Sequence, residues 1–139
     1  MWKTANNAQT YLPMLNAAEQ QYGIPADLLA RMAYQESRFR DDIVTGQTTS
    51  SAGAVGLMQM LPQYFPGPLT DPAFAIDQAA QYLVSLYQQF GSWKTAVAAY
   101  NWGPGNVRKY LAGTATMPTE TSNYVAQVFG DLPQTGSYA

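Results

Sequence analysis

A chain of 139 residues is long enough for one domain with a hydrophobic core. Its composition, with 47% hydrophobic and only 12% charged residues, excludes a disordered protein. The net charge of −2 and the lack of a basic run argue against nucleic-acid binding, since neutralising phosphates needs clustered Lys and Arg. The sequence has neither Cys nor His, which excludes thiol and imidazole catalysis, disulfides and the usual zinc sites. We expect no metal or cofactor, so any proton transfer falls to Asp, Glu, Tyr or Lys.

The first ten residues do not read as a signal peptide, because no apolar stretch follows Lys3. No apolar run approaches the ~20 residues that a membrane span requires. We therefore expect no membrane insertion. The sequence leaves open whether the protein is made without an export signal or whether such a signal lies outside it.

Two helices are predicted in the first third of the chain. Apolar side chains recur at helical spacing over residues 10–22, and Gly23 is a typical C-terminal stop. A second, amphipathic helix is predicted over residues 25–39. Pro25 suits its first position, and Asp27 places negative charge in its first turn.

One carboxylate interrupts the apolar stripe of this second helix. The stripe consists of Leu28, Leu29, Met32 and Ala33, and the next position on the same face is Glu36. Burying an ionised carboxylate is costly, so such a group tends to stay protonated and can then donate a proton. The alternative is a carboxylate that turns outward or pairs with an Arg. The helix by itself leaves both interpretations open.

The middle of the chain is predicted to begin with a polar loop. Residues 41–53 are rich in Thr, Ser and Gly, with a small β hairpin as an alternative over residues 41–50. Residues 54–61, in which Gln59 lies among Leu and Met, are predicted to form one or two helical turns. Asp71 is a predicted cap for a long helix over residues 72–90, whose apolar positions fit the helical period closely.

The last third is predicted to be helical. Ser92 and Thr119 are typical N-caps, and two Gly and a Pro within residues 101–106 predict a break. The three helices are expected at residues 93–100, 107–111 and 120–129. Residues 131–139 read as a tail. The sum is a single mainly α domain over residues 1–139, with a core at about 10–129 and six or seven helices.

Four short motifs occur in a characteristic order. They are Glu36-Ser37 at the end of a helix, Gly-Ala-Val-Gly-Leu-Met-Gln at 53–59, Ala-Tyr-Asn-Trp-Gly-Pro-Gly at 99–105 and Glu-Thr-Ser-Asn-Tyr-Val at 120–125. Together they resemble the catalytic domain of soluble lytic transglycosylases, the glycoside hydrolase family 23 type related to goose-type lysozyme. The resemblance covers about residues 16–129. Each motif alone is weak, whereas the four in sequence are specific.

The resemblance implies a lysozyme-like helical fold with a groove for peptidoglycan glycan strands. It implies cleavage of the β-1,4 bond between N-acetylmuramic acid and N-acetylglucosamine, leaving a 1,6-anhydromuramic acid end. Glu36 matches the single catalytic acid/base of the family. Ordinary glycosidases need two carboxylates, but a nucleophile within the substrate, the C6 hydroxyl, removes the need for a second one.

Other family positions carry over residue by residue. Four polar side chains match substrate-contacting positions: Ser50, Gln59, Tyr100 and Asn101. Ser37 either orients Glu36 or caps the end of its helix. Glu120 either contacts substrate or supplies the negative charge that a helix N-terminus favours.

Two alternatives to this assignment remain. The stretch between Glu36 and Ser50 is longer than the common family pattern and contains Asp41 and Asp42. Either one, holding a water, would make the enzyme a hydrolytic goose-type muramidase; otherwise both are solvated loop carboxylates beside Arg38 and Arg40. The second alternative is a non-catalytic glycan-binding structural module. For an enzyme, we expect a monomer acting on the bacterial cell wall in the periplasm, as a phage lysin, a virion-associated protein or a domain of an exported enzyme.

Overall fold

The computed structural model describes residues 2–130. Within these residues the chain forms a 3₁₀ turn, Trp2–Thr4, and seven α-helices. The helices are α1 (Ala8–Tyr22), α2 (Leu28–Ser37), α3 (Asp41–Val44), α4 (Pro72–Phe90), α5 (Trp93–Trp102), α6 (Pro104–Leu111) and α7 (Thr119–Phe129). The prediction of a mainly α fold with six or seven helices is confirmed, whereas the predicted tail at residues 131–139 lies outside the described residues. None of the described helices is both long and apolar enough to cross a membrane.

The chain divides into two compact units, Met1–Gln81 and Tyr82–Ala139, with the boundary inside α4. In the first unit, α1 and α2 pack against each other. The apolar stripe predicted for α2 is fully buried: Leu28, Leu29, Met32 and Ala33. Leu15 of α1 and Phe39 are also fully buried. Each buried Leu, Met or Phe side chain contributes about 1.5–3 kcal/mol, so this core accounts for the position of α2.

In the second unit, α5 packs against both α6 and α7. Three Val side chains of these helices have no exposed surface: Val97, Val107 and Val128. The rings of Tyr87 and Trp93 stack with their centroids 4.0 Å apart, which joins the end of α4 to the start of α5. This packing fixes α5, the helix that carries the Ala-Tyr-Asn motif.

Two predicted helix caps are present. Asp71 Oδ1 accepts the backbone N–H of Ala73 at 3.1 Å before α4. Ser92 Oγ accepts the N–H of Thr95 at 3.2 Å before α5. The prediction for α7 is wrong by one residue, because Pro118 is its N-cap and Thr119 is already helical.

The second helix is shorter than predicted at both ends. Asp27 has a φ of 70° and precedes α2 as its N-cap, so neither Pro25 nor Asp27 lies in the first turn. At the other end Arg38 and Phe39 have φ values of 53° and 56°, and this left-handed backbone stops the helix after Ser37. Local preference predicted a longer helix, and the contacts of these two ends with the rest of the unit decided against it.

The segment after α2 also differs from the prediction. Residues 41–50 form no hairpin; Asp41–Val44 is one short helix, and turns follow it. Residues 54–61 form no helical turns, because Gly56 and Gln59 both have positive φ, 82° and 50°. Instead Val55 and Met60 pair as an isolated antiparallel bridge.

The helix break predicted at residues 101–106 consists of a single residue, Gly103. α5 continues to Trp102 and α6 begins at Pro104, with Gly103 between them at a φ of 100°. A Pro at the first position of a helix loses no internal hydrogen bond, so α6 starts directly after the glycine. The sharp turn therefore needs one Gly rather than six irregular residues.

Candidate active site

Glu36 lies in the last turn of α2 and is half-buried. The residue before it on the same face, Met32, is fully buried, so the apolar stripe of the helix leads up to this carboxylate. The sequence predicted a carboxylate on the buried face, and the structure places it at the margin of that face. A group at such a margin has a partly dry surrounding and an open side from which a ligand can approach.

Ser37 is fully buried, in contrast to its neighbour. Its hydroxyl donates to the carbonyl of Ala33 at 3.1 Å and accepts the N–H of Phe39 at 3.2 Å. Both bonds close the end of α2, which is the helix-cap alternative for this residue. Ser37 therefore holds the turn that carries Glu36 and has no surface for a ligand.

Gln59 lies in a tight turn that a glycine makes possible. The backbone N–H of Gln59 and its side-chain Nε2 both donate to the carbonyl of Gly56, at 3.1 and 3.0 Å. A Cβ at Gly56 would come 2.2 Å from the carbonyl oxygen of Leu69. No side chain fits there, so Gly56 is required both by its positive φ and by this close approach. The half-buried Gln59 side chain is held by the turn it belongs to.

Ser50 opens the same loop and is exposed. Its hydroxyl accepts the N–H of Ala54 at 2.9 Å, and its N–H donates to the carbonyl of Ala54 at 3.1 Å. These bonds fix the backbone of the loop, while the exposed serine remains accessible to a ligand. Glu36, Ser37, Ser50 and Gln59 all belong to the first unit.

Tyr100, Asn101 and Glu120 belong to the second unit. Tyr100 is half-buried and its ring centroid lies 5.7 Å from that of Tyr82. Glu120 is exposed in the first turn of α7, the position where negative charge suits the helix dipole. The structure thus agrees with the dipole alternative for Glu120.

Asn101 is held by a residue that sequence reasoning missed. The Thr121 hydroxyl and Asn101 Oδ1 lie 2.9 Å apart, joining α7 to α5, and Thr121 is only 2% exposed. The signal was present in the fourth motif, where Thr121 directly follows Glu120. The sequence analysis assigned a role to the charged Glu120, whereas the buried hydroxyl of Thr121 makes the contact with Asn101.

Replacing Thr121 by Val keeps the shape of the side chain and removes this bond. We expect the variant to lose about 1–2 kcal/mol of unfolding free energy, because a half-buried amide oxygen is left without a partner. Urea unfolding measures this, and the Asn101 side-chain amide signals in an NMR spectrum should shift. Ser122→Ala, an exposed change on the same helix, should stay within about 0.5 kcal/mol of wild type. Equal stability of both variants would contradict the role given to Thr121.

Asp42 is engaged in contacts within its own loop. Its carboxylate accepts from Arg40 Nε at 3.1 Å and from an Arg40 terminal nitrogen at 2.9 Å, a bidentate pair. The Thr48 hydroxyl donates to it at 2.8 Å. The Thr48 bond and then the Arg40 bonds lower the pKa of Asp42 below its ordinary value. Asp42 matches the solvated carboxylate beside Arg40, and Asp41, which is exposed, accepts the Asn7 amide at 2.9 Å.

A second buried carboxylate escaped the sequence analysis. Glu19 of α1 is 2% exposed. Its two oxygens accept the N–H groups of Asp27 at 2.9 Å and Ala30 at 3.0 Å, which caps the N-terminus of α2. Asn16 Nδ2 adds a third bond at 2.7 Å. Burial raises the pKa of Glu19, and the bonds from Ala30, Asn16 and Asp27 oppose that rise. Among residues 2–130, no group of three acidic residues is arranged to hold a metal ion.

Comparison with known proteins decides the family. Residues 13–123 match the family described as Transglycosylase SLT domain, and this range includes every candidate residue discussed above. This chain belongs to that family. The resemblance predicted from the four motifs is confirmed, and so is a transglycosylase fold for the helices described above.

Three relatives of this SLT domain are informative. The soluble lytic murein transglycosylase of Escherichia coli strain K12 is 36% identical over 66% of this chain and 16% of its own length. The membrane-bound lytic murein transglycosylase C of Haemophilus influenzae strain PittGG is 32% identical over 72% of this chain and 33% of its own. The structure of Slt from Pseudomonas aeruginosa, an inactive mutant with Glu changed to Gln, aligns with a TM-score of 0.71 and 28% identity. That alignment covers 90% of this SLT domain and 23% of the Pseudomonas chain, so this chain spans a minor part of each relative.

Proposed function

We propose that this chain is a peptidoglycan lytic transglycosylase in which Glu36 is the single acid/base. The observation that carries the proposal is the family match over residues 13–123, which includes Glu36 at the margin of the buried stripe of α2. Two relatives are named lytic murein transglycosylases, and a third was made inactive by changing one Glu to Gln. That inactivation supports an essential glutamate in the family.

The proposed reaction needs one carboxyl group and no added water. Protonated Glu36 donates its proton to the glycosidic oxygen, and the bond from that oxygen to C1 of N-acetylmuramic acid breaks. The acetamido carbonyl of the substrate stabilises the positive charge at C1. Glu36, now ionised, takes the proton of the C6 hydroxyl as its oxygen bonds to C1. The carboxyl group ends protonated, and the product is a 1,6-anhydromuramic acid end.

The contacts of the loop after α2 favour this reaction over hydrolysis. A hydrolytic muramidase would need a second carboxylate to hold and activate a water. Asp42 is bound by Arg40 and Thr48, and Asp41 by Asn7. A carboxylate with a lowered pKa and a bidentate arginine is a poor base. We therefore assign Asp42 to the structure of the loop, and we give Asp41 no part in activating a water.

The groups that would bind the glycan strand are Ser50, Gln59, Tyr100 and Asn101. Each is exposed or half-buried, so each has surface that a ligand can reach. Hydroxyl and amide groups are the donors and acceptors that sugar hydroxyl and acetamido groups require. The buried Ser37 serves as a positioning residue for the turn that carries Glu36. The site of action would be the bacterial cell wall, with the protein acting as a monomer.

The mass of the digestion products tests the proposal. Purified peptidoglycan digested by the protein should yield fragments with anhydro ends, which lack one water relative to fragments with reducing ends. Digestion in isotopically labelled water should leave these ends unlabelled, because no water is consumed. Reducing ends that carry the label would identify a hydrolytic muramidase. Binding to cell walls without any product would identify a non-catalytic module.

A further inference from the structure

A polar pocket lies in the first unit, among residues that the proposed chemistry does not use. Its volume is about 710 Å³, and its walls include Tyr34 of α2, Arg38 directly after that helix, Asn7 and Asp41. Arg38 caps the end of α2 with a left-handed φ of 53°, and its guanidinium lies over the ring of Tyr34. Glu36 is not among the residues that line the pocket. The pocket is thus distinct from the candidate acid/base.

The charges around this pocket do not all cancel one another. Arg40 and Asp42 form a bidentate ion pair with a closest distance of 2.9 Å. Arg38 instead lies over the ring of Tyr34, 4.6 Å from its centroid, and a terminal nitrogen donates to Gln35 Oε1 at 3.4 Å. The ion pairs found among residues 2–130 do not include Arg38. Asp41 accepts a single amide hydrogen bond, from Asn7. One positive and one negative group thus line the same pocket without pairing with each other.

The walls of the pocket are held in place. Asn7 Nδ2 donates both to Asp41 and to the backbone carbonyl of Phe39, at 2.9 and 2.8 Å. Phe39 is fully buried, and its ring lies 5.6 Å from that of Tyr34. Arg38 and Phe39 both have positive φ, a conformation that residues other than glycine rarely adopt. Such backbone outliers concentrate at ligand sites, where the surrounding contacts maintain them.

We propose that this pocket binds the head group of an α-amino acid, with its carboxylate on Arg38 and its ammonium group on Asp41. An arginine laid against an aromatic ring presents a planar fork of N–H donors, which matches a carboxylate. An exposed carboxylate with one hydrogen bond retains acceptor positions for an ammonium group. The head group comes from a free amino acid or from the amino-acid end of a peptide attached to a glycan. The inference does not depend on the chemistry assigned to Glu36.

Three related small molecules test the two charges separately. meso-Diaminopimelic acid carries ammonium and carboxylate side by side at each end, pimelic acid lacks the ammonium groups, and cadaverine lacks the carboxylates. In calorimetric and NMR titrations of the whole chain, diaminopimelic acid should bind with a Kd of about 1 mM or lower. The other two should bind about tenfold more weakly. Equal binding of all three, or no saturable binding of diaminopimelic acid, would overturn the proposal.

Variants assign the binding to the pocket. Arg38→Gln and Asp41→Asn should each weaken diaminopimelic acid binding about tenfold, with unchanged melting temperatures. Arg108→Gln, an exposed charge change on α6, should bind as wild type does. If Arg38→Gln fails to fold, Arg38→Lys keeps the charge and should weaken binding less than Asp41→Asn. Wild-type affinity in both Arg38 and Asp41 variants would place the binding elsewhere and refute the assignment.

Two further experiments distinguish a free amino acid from a glycan-attached peptide, and the pocket proposal from the Glu36 proposal. Glycan fragments with and without their peptides should be titrated into Glu36→Gln. Tighter binding of the peptide-bearing fragment assigns the pocket to the peptide, and binding of free diaminopimelic acid with no such difference assigns it to a free amino acid. Either result supports an amino-acid site. Digestion by the Arg38 and Asp41 variants is measured on glycan strands stripped of peptide. These variants should digest such strands as wild type does, whereas Glu36→Gln should not, so the binding proposal and the acid/base proposal are tested separately.

Discussion

Replacing Glu36 by Gln should abolish the clearing of purified peptidoglycan while the fold stays intact. Gln has nearly the same shape but cannot donate a proton to the glycosidic oxygen or take one from the C6 hydroxyl. Losing a positioned acid/base costs about 10²–10⁴-fold in rate. Because Glu36 is half-buried at the end of α2, the neutral substitute should fit without a large change in stability. Turbidity of wall suspensions and the circular-dichroism melting curve measure the two effects.

A matched change in the neighbouring loop provides the control. Asp42→Asn removes a carboxylate six residues away in sequence, one that is already bonded to Arg40 and Thr48. It should clear walls at close to the wild-type rate and leave anhydro ends. If Glu36→Gln cleared walls normally, the proposed acid/base would be wrong. If Asp42→Asn were the inactive variant, the hydrolytic mechanism would replace the proposed one.

The long, strongly periodic elements could be predicted from sequence because local pattern and packing agree in them. The helix at residues 72–90 has the predicted bounds, and the stripe of α2 is buried as expected. The loop after α2 could not be predicted, because contacts distant in sequence set its backbone. Phe39 adopts a positive φ while its carbonyl is held by Asn7, 32 residues earlier. Likewise Gly56 packs on the carbonyl of Leu69, a contact that no local sequence pattern predicts.

The candidate site shows where sequence reasoning lacks the information it needs. Glu19 and Glu36 occupy similar places in the pattern, since each follows a buried apolar residue by four positions. Pattern alone cannot separate them, and by burial Glu19 is the stronger candidate. What separates them is their position: Glu19 is buried and bonded to the N-terminus of α2, whereas Glu36 is half-buried in the last turn of that helix. The motif that contains Glu36, and not its periodicity, identified it.

Glu19→Gln should therefore act on stability. Gln presents one oxygen and one NH₂ group where the carboxylate accepts N–H groups from Asp27 and Ala30, so one backbone donor faces another donor. The cost of an unsatisfied buried group and a lost charge-assisted bond is about 2–4 kcal/mol of unfolding free energy. Urea unfolding measures the loss. Glu120→Gln, an exposed glutamate, should change stability by less than about 0.5 kcal/mol.

The same variant makes the pH dependence of Glu19 visible. Because burial raises its pKa in the folded state, the folded protein binds the proton more tightly than the unfolded chain does. The stabilising contribution of the protonated group is complete below the unfolded pKa of about 4.3 and is lost as the pH rises through the folded pKa. The stability difference between wild type and Glu19→Gln should therefore shrink from acidic towards neutral pH. A difference that grew instead would mean that the bonds from Ala30, Asn16 and Asp27 outweigh burial, and that α2 is held chiefly by an ionised cap.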